Sequence, residues 1–201
     1  MVPAFLAALL IAPPFAVQVS PVTAVQLGAS WHAGCPVGPA DLRRLRLSYW
    51  GFDGRRLVGA VVVHRTAVTD MTTAFRRLYA ARFPIRRLQT IDAYAGDDER
   101  SMAADNTSAF NCRYASAPGP RRWSAHAYGQ AIDVNPLENP YVSGARVRPV
   151  AGMRFLDRTR FRPGMAVAGG VLVRTFTSVG WQWGGRWSET PDYQHFSATG
   201  G

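Results

Sequence analysis

Apolar and polar positions alternate from Leu45 to Phe52, and a valine-rich run follows from Leu57 to Val63. Between them stands Asp53-Gly54, a dipeptide suited to a tight hairpin turn, so the pattern predicts two antiparallel strands. The period then changes. Val68, Met71, Phe75, Leu78 and Tyr79 recur at spacings of three and four, which predicts a helix over 67–82 with one apolar face. Thr66 is its expected N-cap and Pro84 marks its end. Leu88–Tyr94 and Gln130–Val134 read as strands, and 170–179 as a helix stopped by Gly180. Trp181–Trp187 reads as a strand ending in a Gly-Gly turn, and Tyr193–Ser197 as the last strand. Two irregular stretches remain, a polar one over 96–113 and a proline-rich one over 135–162. Long irregular segments in a compact domain tend to wall binding sites. Strands and helices mix without regular alternation, so an α+β fold is expected, a small antiparallel sheet with helices on one side.

The ends modify this picture. Val2 to Val17 is apolar and uncharged, and small residues follow it. This predicts a secretory leader over 1–26, a linker over 27–41 and one domain over 42–201. Pro13-Pro14 and the shortness of the run argue against a spanning helix, and no later stretch is apolar enough to cross a bilayer. Net charge is +10 and all 23 basic residues are Arg. They fall in scattered pairs without a nucleic-acid motif, so nucleic acid is not an expected partner. A basic exterior is compatible with an anionic cell-wall polymer. Cys35 and Cys112 are the two cysteines, and in an exported protein they are expected to form one disulfide.

Candidate chemistry concentrates in two short stretches. Ser124 to Asp133 carries His126 and Asp133 seven residues apart, with Gly129 to turn the chain between them. Near the C-terminus stands Asp192-Tyr-Gln-His195. Two histidines and one carboxylate form a ligand set for a catalytic Zn²⁺, which keeps a fourth position open. His126, Asp133 and His195 are therefore the expected metal ligands, and Asp192 the expected catalytic base. Arg100 and Arg113, in the polar stretch, are candidates to stabilise a developing oxyanion. A Ser124-His126-Asp133 triad is the rival reading. Residues so close in sequence rarely converge as nucleophile, base and orienter.

Three motifs occur in order: Ser124-x-His126-x-x-Gly129-x-Ala131-x-Asp133, Trp183-Gly-Gly-x-Trp187, and Asp192-x-x-His195-Phe196. Together they resemble the zinc D-alanyl-D-alanine carboxypeptidase and L-alanyl-D-glutamate peptidase family, with its VanY-like and endolysin-like members and its Hedgehog-type fold. The resemblance covers about Leu88 to Ser197. It implies zinc on His126, Asp133 and His195, and Asp192 as the acid–base residue. It also implies an oxyanion-binding Arg-Ser pair, matched here by Arg100-Ser101. Ser101, Ser124, Arg113 and Trp183 are expected to contact substrate. The implied activity is hydrolysis of peptidoglycan stem peptides by a monomeric enzyme, secreted or held in a bacterial cell envelope. A non-catalytic, zinc-containing wall-binding module is the alternative.

Overall fold

The computed structural model describes residues 13–116 and 120–200. The first part of the expected leader, residues 1–12, lies outside them. From there the chain forms strand β1 (Val17–Pro21), helix α1 (Ala24–Leu27), the long strands β2 (Leu42–Trp50) and β3 (Arg56–His64), and helix α2 (Val68–Ala80). Short elements follow: β4 (Arg87–Leu88), α3 (Asp98–Ala103), β5 (Asn106–Thr107), β6 (Ala131–Asp133), β7 (Tyr141–Ser143) and β8 (Arg146–Arg148). Helix α4 (Val171–Thr177) and strands β9 (Gln182–Trp183) and β10 (His195–Ser197) complete the order. The expected hairpin is present as β2–β3, antiparallel along its whole length, and the architecture is α+β with small sheets.

Strand β1 pairs antiparallel with β2 across Val17↔Leu47 to Pro21↔Arg43. Leu27 is buried beside Leu42, Val62 and Phe110. The stretch expected to be leader and linker, from Val17 to Asp41, is thus folded against the domain. Ser20 and Pro21 lie in β1 itself, and Gly28, Ser30 and Pro39 lie in 3-10 turns. A disulfide joins Cys35 to Cys112 across a separation of 77 residues.

Helix α2 buries Met71, Phe75, Leu78 and Tyr79 of the expected stripe together with Ala74, and Val68 is half-buried at its start. The cap at Thr66 is not used. A 3-10 turn over Arg65–Ala67 enters the helix, and His64 Nδ1 accepts from the Thr66 N–H at 3.3 Å. Stripe residues of α2 pack with Leu45, Leu47, Val61 and Val63 of the hairpin, and with Leu172, Val173 and Phe176 of α4. Ile132 of β6 and Phe196 of β10 enter the same core, and Phe196 stacks on Phe176 at 4.5 Å between centroids. Burying a phenylalanine of this kind stabilises by about 1.5–3 kcal/mol. It fixes the strand that carries His195.

Three strands expected from pattern are shorter than their apolar runs. After β4, Ile91–Tyr94 is a 3-10 turn, because Leu88 and Ile91, three apart, both face inward. Gly184–Arg186 is likewise a 3-10 turn after β9. The last strand begins at His195, since the His195 N–H bonds back to the Asp192 carbonyl at 3.3 Å and turns the chain. The proline-rich stretch contains the β7–β8 hairpin.

Candidate metal centre and its cleft

Each candidate ligand is held by a different local device. His126 lies in a 3-10 turn over Ala125–Tyr128, capped by Ser124, whose Oγ accepts from the His126 N–H at 3.3 Å. That bond gives the serine a structural role as the cap of the turn. Gly129 ends the turn at φ +66°, and a Cβ there would stand 2.5 Å from the backbone nitrogen of His64. Only glycine suits that combination of left-handed backbone and close approach. The Gly129 carbonyl accepts the His64 N–H at 2.8 Å, so β3 supports the turn from beneath.

Asp133 ends β6, where His195 of β10 is its direct antiparallel partner. Opposed residues of an antiparallel pair project to one face. Pairing register therefore brings together two ligands that lie 62 positions apart. Backbone bonds to Ser108 on the other side (2.9 and 3.1 Å) hold Asp133 between two neighbours.

The ligand atoms converge. His126 Nε2 is 3.2 Å from Asp133 Oδ2, His195 Nδ1 is 3.1 Å from Asp133 Oδ1, and the two imidazole nitrogens are 3.2 Å apart. All three side chains are buried, and their donor atoms lie within 4.8 Å of one another. His126 Nδ1 is 2.6 Å from the Ala109 carbonyl oxygen, which can only accept. That bond puts the proton on Nδ1 and turns the Nε2 lone pair to the centre, the second-shell arrangement of a metal-binding histidine. Burial opposes the charged form of His126, but the Asp133 carboxylate outweighs it and raises the pKa. Burial likewise opposes ionisation of Asp133, yet the two imidazoles hold it well below the usual carboxylate range. The site thus favours a positive charge between its three groups. Two imidazole nitrogens and a carboxylate fit a tetrahedral cation such as zinc with one position free.

The centre opens into a cleft. Asp192 lines it, in the turn before β10. A Cβ on Gly184 would meet the Asp192 backbone oxygen at 2.9 Å and the His195 Cβ at 3.2 Å, so glycine lets this turn close on the ligand strand. Asp192 Oδ1 is sealed from solvent without a hydrogen-bond partner among the described residues. Burial first, and the neighbouring Asp133 carboxylate second, push its pKa up to about 7. A carboxylate so poised can accept and return a proton at neutral pH.

Of the other expected site residues, Ser124 and Arg113 line the cleft, and Arg113 is paired with Asp98 at 2.8 Å. Arg100 does not reach it. Its side chain is 74% exposed and pairs with Asp97 one turn back on α3. Ser101 faces inward and accepts from Asn106 Nδ2 at 3.0 Å. Trp183 packs in the core, its indole N–H donating to the Tyr193 carbonyl at 2.9 Å. Trp187, four residues later, is the tryptophan of this motif that lines the cleft, its ring 5.4 Å from that of His195. Tyr141, Arg148 and Trp123 also line the cleft. They went unmarked in the sequence; Tyr141 and Arg148 lie on the irregular stretch over 135–162, and Trp123 stands directly before the first motif. A second cluster, His32 with Cys35 and Cys112, is close enough for a metal, but the disulfide engages both sulfurs.

Residues 118–198 match a family model described as D-alanyl-D-alanine carboxypeptidase. The matched segment contains both histidines, Asp133 and Asp192. Searches of curated proteins and of solved structures give no match.

Proposed function

Residues 118–198 are those of a D-alanyl-D-alanine carboxypeptidase family domain, and from this premise we propose that the chain is a zinc peptidase that hydrolyses stem-peptide bonds of peptidoglycan. The observation that carries the reading is the pairing of a converged His126–Asp133–His195 set with a separate carboxylate in the same cleft, Asp192, whose Oδ1 has no hydrogen-bond partner among the described residues. His126 Nε2, His195 Nδ1 and an oxygen of Asp133 would hold the metal. Zinc bound there supplies Lewis acidity toward a carbonyl and its attacking water.

The chain's own groups perform the rest. Asp192 takes the proton of the attacking water and gives it to the departing amine, a contribution of roughly 10²–10⁴ in rate. Arg113, fixed by Asp98, presents guanidinium N–H donors to the carbonyl oxygen as charge develops on it. This role passes to Arg113 from Arg100, which points to solvent. Ser124 holds the turn that carries His126, and Trp123 and Trp187 wall the cleft against bulk water.

A non-catalytic wall-binding module would need the metal but has no use for a proton-ready Asp192 whose Oδ1 is sealed from solvent. We read the protein as exported. The Cys35–Cys112 disulfide suits an oxidising compartment, and no helix among the described residues is long and apolar enough to cross a membrane. On this reading the leader ends before Val17, because β1 belongs to the sheet.

Digestion of purified peptidoglycan, with products identified by mass spectrometry, tests the proposal. New amine and carboxyl ends should appear with zinc and be absent with a chelator. Undigested wall in the presence of zinc would overturn it.

A further inference from the structure

Three arginines, Arg113, Arg122 and Arg148, line the cleft, and two of them are held by one short helix. Consecutive carboxylates of α3 engage them: Asp98 pairs with Arg113 at 2.8 Å and Glu99 pairs with Arg148 at 2.7 Å. The two pairs differ in shelter. In the first, both side chains are about equally covered, at 25% and 22% exposure. In the second, Arg148 is 26% exposed while Glu99 is 56% exposed. The guanidinium therefore belongs to the cleft wall, and its carboxylate partner stands in solvent. An ion pair with one member so exposed is weakly held and readily exchanged.

Strand register fixes where Arg148 lies relative to the reacting groups. Arg148 is the direct antiparallel partner of Tyr141, and Tyr141 is in turn bridged to Asp192. The Val142 N–H donates to the Pro191 carbonyl at 2.8 Å, which secures that second step. Opposed residues share a face, so Asp192, Tyr141 and Arg148 project to the same side, and all three line the cleft. Two cross-strand steps of roughly 5 Å each separate Arg148 from Asp192. An extended peptide covers that span in about three residues.

Resting on the peptidase reading above, we propose that Arg148 is a specificity-determining residue that receives a carboxylate of the substrate, within about three residues of the scissile bond. Glu99 occupies the guanidinium when no substrate is present. The recognised chemistry is a carboxylate, paired side by side with the guanidinium fork. A peptide can present it at its own C-terminus or on a branch. Substrate entry exchanges one carboxylate for another, so Arg148 is never left without a counter-charge.

The test uses the full chain loaded with zinc and three synthetic stem peptides: one with both carboxylates free, one amidated at the C-terminus, one amidated on the branch carboxylate. Arg148→Gln should raise KM about 10- to 100-fold for peptides bearing the recognised carboxylate, as for loss of a charged hydrogen bond, and leave kcat near the wild-type value. It should not change KM for the peptide whose amidation removes that group, and this arm tells the terminal source from the branched one. Glu99→Gln, an exposed change that leaves the fold intact, should lower KM roughly two- to fivefold by freeing the guanidinium. Equal losses on all three peptides, or no loss on any, would overturn the assignment. So would a Glu99→Gln protein that binds carboxylate peptides more weakly. Calorimetric titration of the same peptides reads the discrimination without turnover. A protein that binds them with this selectivity but cuts none would refute the peptidase reading and leave the role of Arg148 standing.

Discussion

Replacing Asp192 by Asn should make the metal-free protein more stable at alkaline pH, although it removes the proposed base. In the folded chain the Asp192 carboxyl is raised from 3.8 to about 7 by burial and by Asp133. The folded state therefore favours the neutral acid. Its stabilising contribution is complete below about pH 4 and is lost as pH rises through 7. At 1.36 kcal/mol per pH unit the full difference is about 4 kcal/mol. The residue as a whole is only half-buried, and solvent screening brings the expectation to about 2–4 kcal/mol. Asparagine has the same shape and no charge to bury. Urea unfolding of both proteins in chelator, at intervals from pH 4 to 8.5, measures the effect as the gap between their unfolding free energies. Glu138, pushed up to about 8 by burial and by Asp105 beside it, titrates in both proteins and cancels in the gap. The gap should open between pH 4 and 7 in favour of Asn and then stay constant. A gap independent of pH would show that Asp192 is not held neutral by its surroundings, and the argument for its poise would fail.

Loaded with zinc, the Asp192→Asn protein should keep one metal per chain by elemental analysis while its turnover falls roughly 10²–10⁴-fold. His126→Ala and His195→Ala should each lose stoichiometric zinc, and chelation should stop cleavage by the unmodified protein until zinc is returned. Removing the Cys35–Cys112 bond by a double serine substitution relaxes a closure of 77 residues. The chain-entropy relation sets the loss at up to about 4.5 kcal/mol, readable as a lowered urea midpoint. Gly129→Ala forces a side chain into left-handed backbone against His64. It should cost about 2–4 kcal/mol in calorimetric stability and weaken zinc retention, because the displaced turn carries His126.

Much of this was legible where periodicity or local chemistry acts over a few residues. The β2–β3 hairpin follows from its Asp-Gly turn, and α2 from its apolar stripe. His126, Asp133 and His195 stood out as a potential ligand set by type and spacing, and strand register brings them within reach of one another. What stayed hidden depends on long-range closure. Arg100 and Arg113 look alike in the polar stretch, yet helix α3 turns the first toward Asp97 and leaves the second to the cleft. Ser101 and Trp183 are lost to the interior for the same reason, since a helix or strand direction decides which neighbour faces the site. Glycine and proline between Val17 and Asp41 resemble a tether until β1 is seen paired to β2. Arg148 joins the site only through the β7–β8 ladder, whose three-residue strands are too short to leave a pattern.

The dependence of the metal centre on neighbours far upstream bears on where the chain can be divided. The family-matched segment begins at residue 118. The carbonyl that orients His126 belongs to Ala109, and the backbone bridge flanking Asp133 is made by Ser108. Beneath them, His64 carries Gly129, while Val62 holds Phe110 through a 3.0 Å backbone bond. A fragment cut at the edge of the matched region would retain every ligand and lose what aims them. The smallest portable unit for transplanting this chemistry into another protein therefore includes the N-terminal sheet, although no motif is written there.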